Sequence, residues 1–122
     1  MATASDIMKG GLSSGMAKAI NGQIQSAITA AGTTLATATR LTASINVITT
    51  AAASSGVQLQ QTEIGDMVEI LNLGANAVTV YPDAAANRIN ALSAGTGFAL
   101  GMNTSCIVRK FTSTRWMAYL SA

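Results

Sequence analysis

Beyond residue 32 the apolar residues of this chain recur at every second position; before it they recur at every fourth. The alternation is clearest in residues 65–82, Gly-Asp-Met-Val-Glu-Ile-Leu-Asn-Leu-Gly-Ala-Asn-Ala-Val-Thr-Val-Tyr-Pro. Val68 and Ile70 alternate with Met67, Glu69 and Leu71, and Val78 and Val80 alternate with Thr79 and Tyr81. A period of two places one set of side chains on each face of a sheet. Asn72, Gly74 and Asn76 lie between the runs, and Asn and Gly tolerate the positive φ of a tight turn. The two runs are therefore expected to pair as a β-hairpin. Pro82 has no N–H to give to a ladder and ends the second strand.

Further strands are expected at 33–39, 41–50, 57–60, 88–92, 98–100, 104–111 and 115–120. Turn signals separate several of them: Ser54-Ser55-Gly56, Gly95-Thr96-Gly97, Gly101-Met102-Asn103 and Thr112-Ser113-Thr114. No helical segment lies between them to carry a parallel βαβ crossover, and no internal repeat is visible. Short strands at such spacing predict a mainly β protein, an antiparallel β-sandwich of jelly-roll type, over residues 33–122.

Residues 1–32 read differently. Leu12, Met16, Ile20, Ile24 and Ile28 fall at four-residue spacing, which lines one face of a helix. Gly11, Gly15 and Gly22 break any long helix, each costing about 1 kcal/mol relative to Ala. The expectation is a Gly-rich N-terminal arm with a short helix near 13–21, closed by Gly22. Such an arm needs a surface to lie on.

Composition adds one constraint. Only 10% of the 122 residues are charged, against about 25% in an average globular chain. A surface this neutral suggests coverage in the working state, by copies of the chain or by a partner. A net charge of +2 is too small to argue for nucleic acid, and Arg109, Lys110 and Arg115 read as a solvated strand end. No apolar run approaches the roughly 18 residues of a membrane span, and no signal-peptide core is seen. Cytoplasmic synthesis and assembly are expected. Cys106 is the single cysteine, which excludes an internal disulfide and reads as a small buried hydrophobe.

Catalytic groups are scarce. Histidine is absent, which removes the commonest general base and metal ligand and every Ser-His or Cys-His arrangement. Glu63, Asp66 and Glu69 lie close in sequence, but Asp66 follows Gly65 and reads as a turn residue bonding nearby N–H groups. Gly95-Thr96-Gly97 lacks the Lys-Ser/Thr ending of a phosphate loop and reads as a hairpin turn. Trp116 reads as core. Tyr81 and Tyr119 each read as a core-edge aromatic or a contact for a neighbouring subunit. The expectation is a protein without enzymatic activity, cofactor or metal.

The order of segments then matters. Gly56-Val57-Gln58-Leu59 precedes residues 65–82, with Val-Tyr-Pro at their end, followed by Arg88-Ile89-Asn90-Ala91-Leu92 and Arg115-Trp116. Over residues 33–118 this series resembles a β-domain of tailed-bacteriophage virion structural proteins. It departs at Gln60, where the family commonly has Pro, and at Ala84-Ala85-Ala86, where Gly is more usual. The resemblance implies a capsid decoration (cement) protein, a homotrimer on the outer capsid surface bound to the major capsid protein at capsomer junctions. On that reading Ile7, Met8, Leu12, Met16 and Ile20 of the arm bury against the shell or a sister subunit, and Tyr81 and Tyr119 are contacts of the β-domain. A tail fibre, spike or head–tail connector component stays open. So does a carbohydrate-binding module, which needs Trp116, Tyr81 or Tyr119 exposed in a groove.

Overall fold

A computed structural model describes residues 22–121, and every regular element among them is a strand. The strands are β1 (Ile24–Ala30), β2 (Thr39–Arg40), β3 (Ile45–Ala51), β4 (Gly56–Gln58), β5 (Met67–Asn72), β6 (Val78–Tyr81), β7 (Arg88–Ile89), β8 (Phe98–Leu100), β9 (Thr104–Thr112) and β10 (Arg115–Leu120). They form a six-stranded sheet, β1-β3-β5-β9-β10-β7, and a four-stranded sheet, β2-β4-β6-β8. Between the sheets lies a core that includes Ile48, Val57, Leu59, Val68, Ile70, Val80, Leu100, Val108 and Trp116.

The expected antiparallel jelly roll is not what forms. β1, β3 and β5 pair in parallel in one sheet, as do β2, β4 and β6 in the other. The chain climbs as a β-solenoid-like stack, each rung placing a strand in the first sheet and then one in the second. Ile24 pairs with Ile45 and Ile45 with Glu69, so successive rungs take 21 and then 24 residues. Parallel neighbours need a long crossover. Here the strand in the opposite sheet is that crossover, which is why parallel pairing arises without a helix. The rungs repeat in structure while differing in sequence and length.

The expected hairpin over 65–82 is also corrected. β5 and β6 exist with the alternation read from the sequence, Val68, Ile70, Val78 and Val80 being buried, but they belong to different sheets. The segment between them is a corner rather than a reversal. Neither Asn72 nor Asn76 takes a positive φ; outside glycine, Ser54, Asn90 and Asn103 do among the described residues. The asparagines act through their side chains instead. Asn72 is fully buried; its Oδ1 accepts from Gly74 N–H at 2.9 Å, and its Nδ2 donates to Asn76 O at 2.9 Å and Leu100 O at 3.0 Å. Asn76 Nδ2 donates to Ala51 O at 2.8 Å, joining this corner to the preceding rung. A Cβ on Gly74 would lie 2.6 Å from Ala51 Cβ, so the rungs stack closely enough there to require glycine.

The last strands close the stack. β9 runs antiparallel to β5, β10 antiparallel to β9, and β8 antiparallel to β6. The hairpin of this region is β9–β10, turned at Ser113-Thr114. Gly95-Thr96-Gly97 does lie in a turn region, but it leads from β7 in one sheet to β8 in the other.

At the other end, Ile24 and Ile28 belong to β1 and not to a helix. The helix expected near 13–21 lies outside the described residues. Residues 33–38, expected as a strand, form a bend held by Ala38 N–H and Thr37 N–H donating to Thr34 O.

Asn72 tests this account of the corner. Asn72→Ala leaves buried carbonyls and an N–H unpartnered, at about 1–3 kcal/mol each. The variant is expected to lose about 3 kcal/mol in urea unfolding. An unchanged midpoint would show that the corner does not depend on this side chain.

Candidate functional site

Two features compete for the role of a site. The first is a buried polar centre on Asp83, immediately after the strand-ending Pro82. Asp83 Oδ1 accepts from Asn87 Nδ2 at 2.7 Å and from Trp116 Nε1 at 2.9 Å. Its Oδ2 lies 2.9 Å from Lys110 Nζ, and its backbone carbonyl accepts from Gln58 Nε2 at 3.3 Å. Lys110 also donates to Thr62 O at 3.3 Å, and its ammonium sits 5.7 Å from the centroid of the Trp116 ring. Asp83, Asn87, Lys110, Gln58 and Trp116 are all buried. The group ties the end of β6 to β4, β9 and β10.

Burial by itself pushes the Asp83 carboxyl up. The hydrogen bonds from Asn87, Trp116 and Lys110, with the Lys110 charge, outweigh that and hold it below an aspartate's ordinary 3.8. Both carboxylate oxygens are engaged, and the cation facing them is committed to the same pair. This arrangement holds a corner shut and leaves no group poised to move a proton. Lys110 is thus not the solvated strand end expected from the sequence. Its position gave the signal: on β9 it follows Cys106 and Val108 at two-residue spacing, in the phase that points inward.

Other residues singled out by the sequence are placed as follows. Asp66 Oδ2 accepts from Glu63 N–H at 3.0 Å, the expected turn contact. Cys106 is buried, and burial pushes its thiol up to about 12. Trp116 is completely buried and presents no face for stacking. Tyr81 is half-buried on the outside of the four-stranded sheet, its OH donating to Thr33 O at 3.0 Å and its ring lying over Gly56. Tyr119 is 59% exposed. Ile7, Met8, Leu12, Met16 and Ile20 lie outside the described residues.

The second feature surrounds Tyr119. Register places Ile45, Glu69, Ile107 and Tyr119 in one row across β3, β5, β9 and β10, and Met67, Arg109 and Met117 in the next. Ile24 of β1 continues the first row at the sheet's edge. All of these except half-buried Ile45 are exposed. The outer face of the six-stranded sheet is thus a broad apolar surface carrying one acid and one base at its centre, with Arg115 and Arg88 toward its β7 edge. Antiparallel strands that face water normally alternate apolar-in with polar-out, and the antiparallel part of this sheet, β5, β9 and β10, departs from that rule. Of this face, the sequence singled out Tyr119 as an aromatic at the core edge or a contact, Glu69 as one of three nearby acids, Arg109 as part of a solvated strand end and Ile24 as part of a helical stripe, and brought none of them together. The others sit at the outward phase of strands, which becomes a continuous face only once strand order is known.

Against known proteins, no family model, curated protein or solved structure matches the chain.

Two outcomes are expected from this geometry. Because the folded-state value of Asp83 lies below the unfolded one, its ionised form contributes stability fully above about pH 4; that contribution is lost as pH falls through the lowered value. Urea unfolding at descending pH should therefore show wild-type stability falling on the acid side. Asp83→Asn is expected to be about 3–5 kcal/mol weaker near neutral pH, since Lys110 keeps a buried charge without its partner, and to have a flatter acid slope. Equal slopes would remove Asp83 from the account. For Cys106, a thiol reagent at pH 8 (about the working pH of such reagents) should find no reactive group in the native protein and one after denaturation. Rapid native labelling would contradict its placement.

Proposed function

We propose that this chain is a structural protein of a tailed-phage virion, acting by surface contact: a capsid decoration (cement) protein bound to the outer shell. The observation that carries the reading is the outer face of the six-stranded sheet, where Met67, Ile107, Met117 and Tyr119 stand exposed together. Contiguous apolar surface of this kind marks contact sites in folded proteins. The phage assignment rests on the resemblance in residues 65–82, 88–92 and 115–116. The remaining polar centre is consumed by packing, which agrees with a protein that works by being in place. Attachment to the shell falls to the arm residues Ile7, Met8, Leu12, Met16 and Ile20. Each such side chain contributes roughly 1.5–3 kcal/mol when buried, and several copies bound together gain by avidity.

A second reading, a tail fibre or spike component, is favoured by one feature: the parallel stacking of β1, β3 and β5, with β2, β4 and β6 beside them. Stacked rungs build along an axis, as elongated assemblies do.

Copy number separates the two. Quantitative mass spectrometry of purified particles is expected to find on the order of hundreds of copies, in simple ratio to the shell protein; about six to a few tens would move the chain to the fibre or connector. None would overturn the virion reading. Deleting residues 1–20 is expected to abolish particle binding while leaving the β-domain folded by circular dichroism. Full binding by the truncated protein would remove the arm from the proposal.

A further inference from the structure

The two charges at the centre of the outer face of the six-stranded sheet are the informative ones. Glu69 of β5 is the register partner of Ile107, and Arg109 of β9 is the register partner of Met67. The four side chains make a rectangle on one face, with Glu69 and Arg109 on one diagonal and Met67 and Ile107 on the other. Diagonal neighbours of this kind have Cβ atoms about 7–8 Å apart. Glu69 and Arg109 form no ion pair with each other; among the described residues the one ion pair is Lys110–Asp83. Both are exposed, and their direct register neighbours on this face, Ile45 and Ile107 for Glu69 and Met67 and Met117 for Arg109, are uncharged; Arg115 of β10 and Arg88 of β7, register partners of each other, stand on the same face toward its β7 edge.

The central rectangle, with one charge of each sign and apolar register neighbours, is complementary to itself. Laid against a second copy about a two-fold axis in the plane of contact, midway between the charges and across the line joining them, each charge changes places with its opposite. Glu69 of each copy then meets Arg109 of the other, while Met67 and Ile107, lying along the axis, meet their own counterparts. A two-fold interface of this isologous kind requires such self-complementarity. Like charges would have opposed it.

We infer that the outer face of the six-stranded sheet is covered by the same face of a second copy of this chain, with two reciprocal Glu69–Arg109 pairs at its centre. The inference rests on the reading of this face as a contact surface and names its occupant. Five strands about 4.8 Å apart and about 20 Å of strand length give a patch at the small end of specific interfaces, so the pairing is expected at micromolar affinity. Its two-fold symmetry differs from the trimer that the sequence resemblance implies. The dimer can serve as the unit that binds a particle, whichever particle that is.

The test uses the full chain in sedimentation velocity and light scattering up to about 100 µM, a range suited to so small an interface. Wild type is expected to be dimeric at the upper concentrations and to dissociate as salt rises, because the central pairs are partly exposed. E69R and R109E each set like charges against each other and should weaken the dimer at least tenfold. Mixing the two variants should restore association as a heterodimer, since each then supplies what the other lacks. The double variant E69R/R109E re-forms both pairs and should dimerise with itself. Should either single variant misfold, Ile107→Lys, which sets two ammonium groups against each other on the axis, reads the same contact. A monomeric or trimeric wild type, or single variants that associate as wild type does, would overturn the pairing. A monomer still present at hundreds of copies per particle would overturn the pairing alone. Absence from particles, with the dimer intact, would overturn the virion reading alone.

Discussion

A chain that passes repeatedly between two sheets must turn its backbone through corners at the edge of the core, and every amide there needs a partner. This constraint sets the role of the buried polar residues. Asn46 Nδ2 donates to Ala43 O at 2.8 Å and Glu69 O at 3.2 Å, closing the entry to β3 and reaching the next rung. Asn72 does the same at the exit from β5, while Asp83, at the exit from β6, ties its corner to the other sheet through side-chain donors. Each side chain satisfies a corner and at the same time touches a different rung or sheet. Once these groups are in place, register follows, because each bond is made to one particular backbone group or side-chain donor.

The Asp83 centre is the costly member of the set. Burying a carboxylate and an ammonium together is close to neutral when compared with apolar packing, because desolvation offsets much of the attraction. Its value here lies in what it joins. The carboxylate collects donors from β9, from β10 and from the loop before β7, so the closing hairpin can dock in one register only. Trp116 reinforces this: its ring fills the core while its N–H reports on the position of Asp83. An apolar substitute would fill the space without fixing the alignment.

The strands themselves were largely legible in the sequence. β5, β6, β8, β9 and β10 fall where alternation and turn residues placed them, because each buries alternate side chains and is bounded by turn residues. Pairing was not legible. Residues 72–76 carry the residue types of a hairpin turn, yet the same asparagines can pin a corner through their side chains, and nothing local separates the two uses. β1 was missed for a related reason: Ile24 and Ile28 stand four apart, a helical spacing, while the register shift between them turns Ile24 outward and Ile28 into the core. Of the candidate site, Tyr119 was visible as an unassigned aromatic. Glu69 and Arg109 were read apart, as one of three nearby acids and as part of a solvated strand end, and their meeting with Met67 and Ile107 was not visible, since residues from β5 and β9 become neighbours only through a pairing that spans some forty positions (a long-range contact of the kind local pattern cannot supply).

The low charge of the chain can now be divided between two causes. Part of it belongs to the stack. Ala51 meets Gly74 at a corner where one added carbon would clash, and the neighbouring Ala52-Ala53-Ser54-Ser55-Gly56 turn is likewise built of small residues. Parallel rungs spaced by backbone hydrogen bonds leave little room at their corners for long charged side chains. That cause does not extend to the open outer face of the six-stranded sheet, where water would favour a polar side chain. Met67, Ile107, Met117 and Tyr119 are exposed there without a packing reason inside the monomer. A steric cause accounts for the small residues at the corners; the large apolar ones on the open face have no such cause within the monomer.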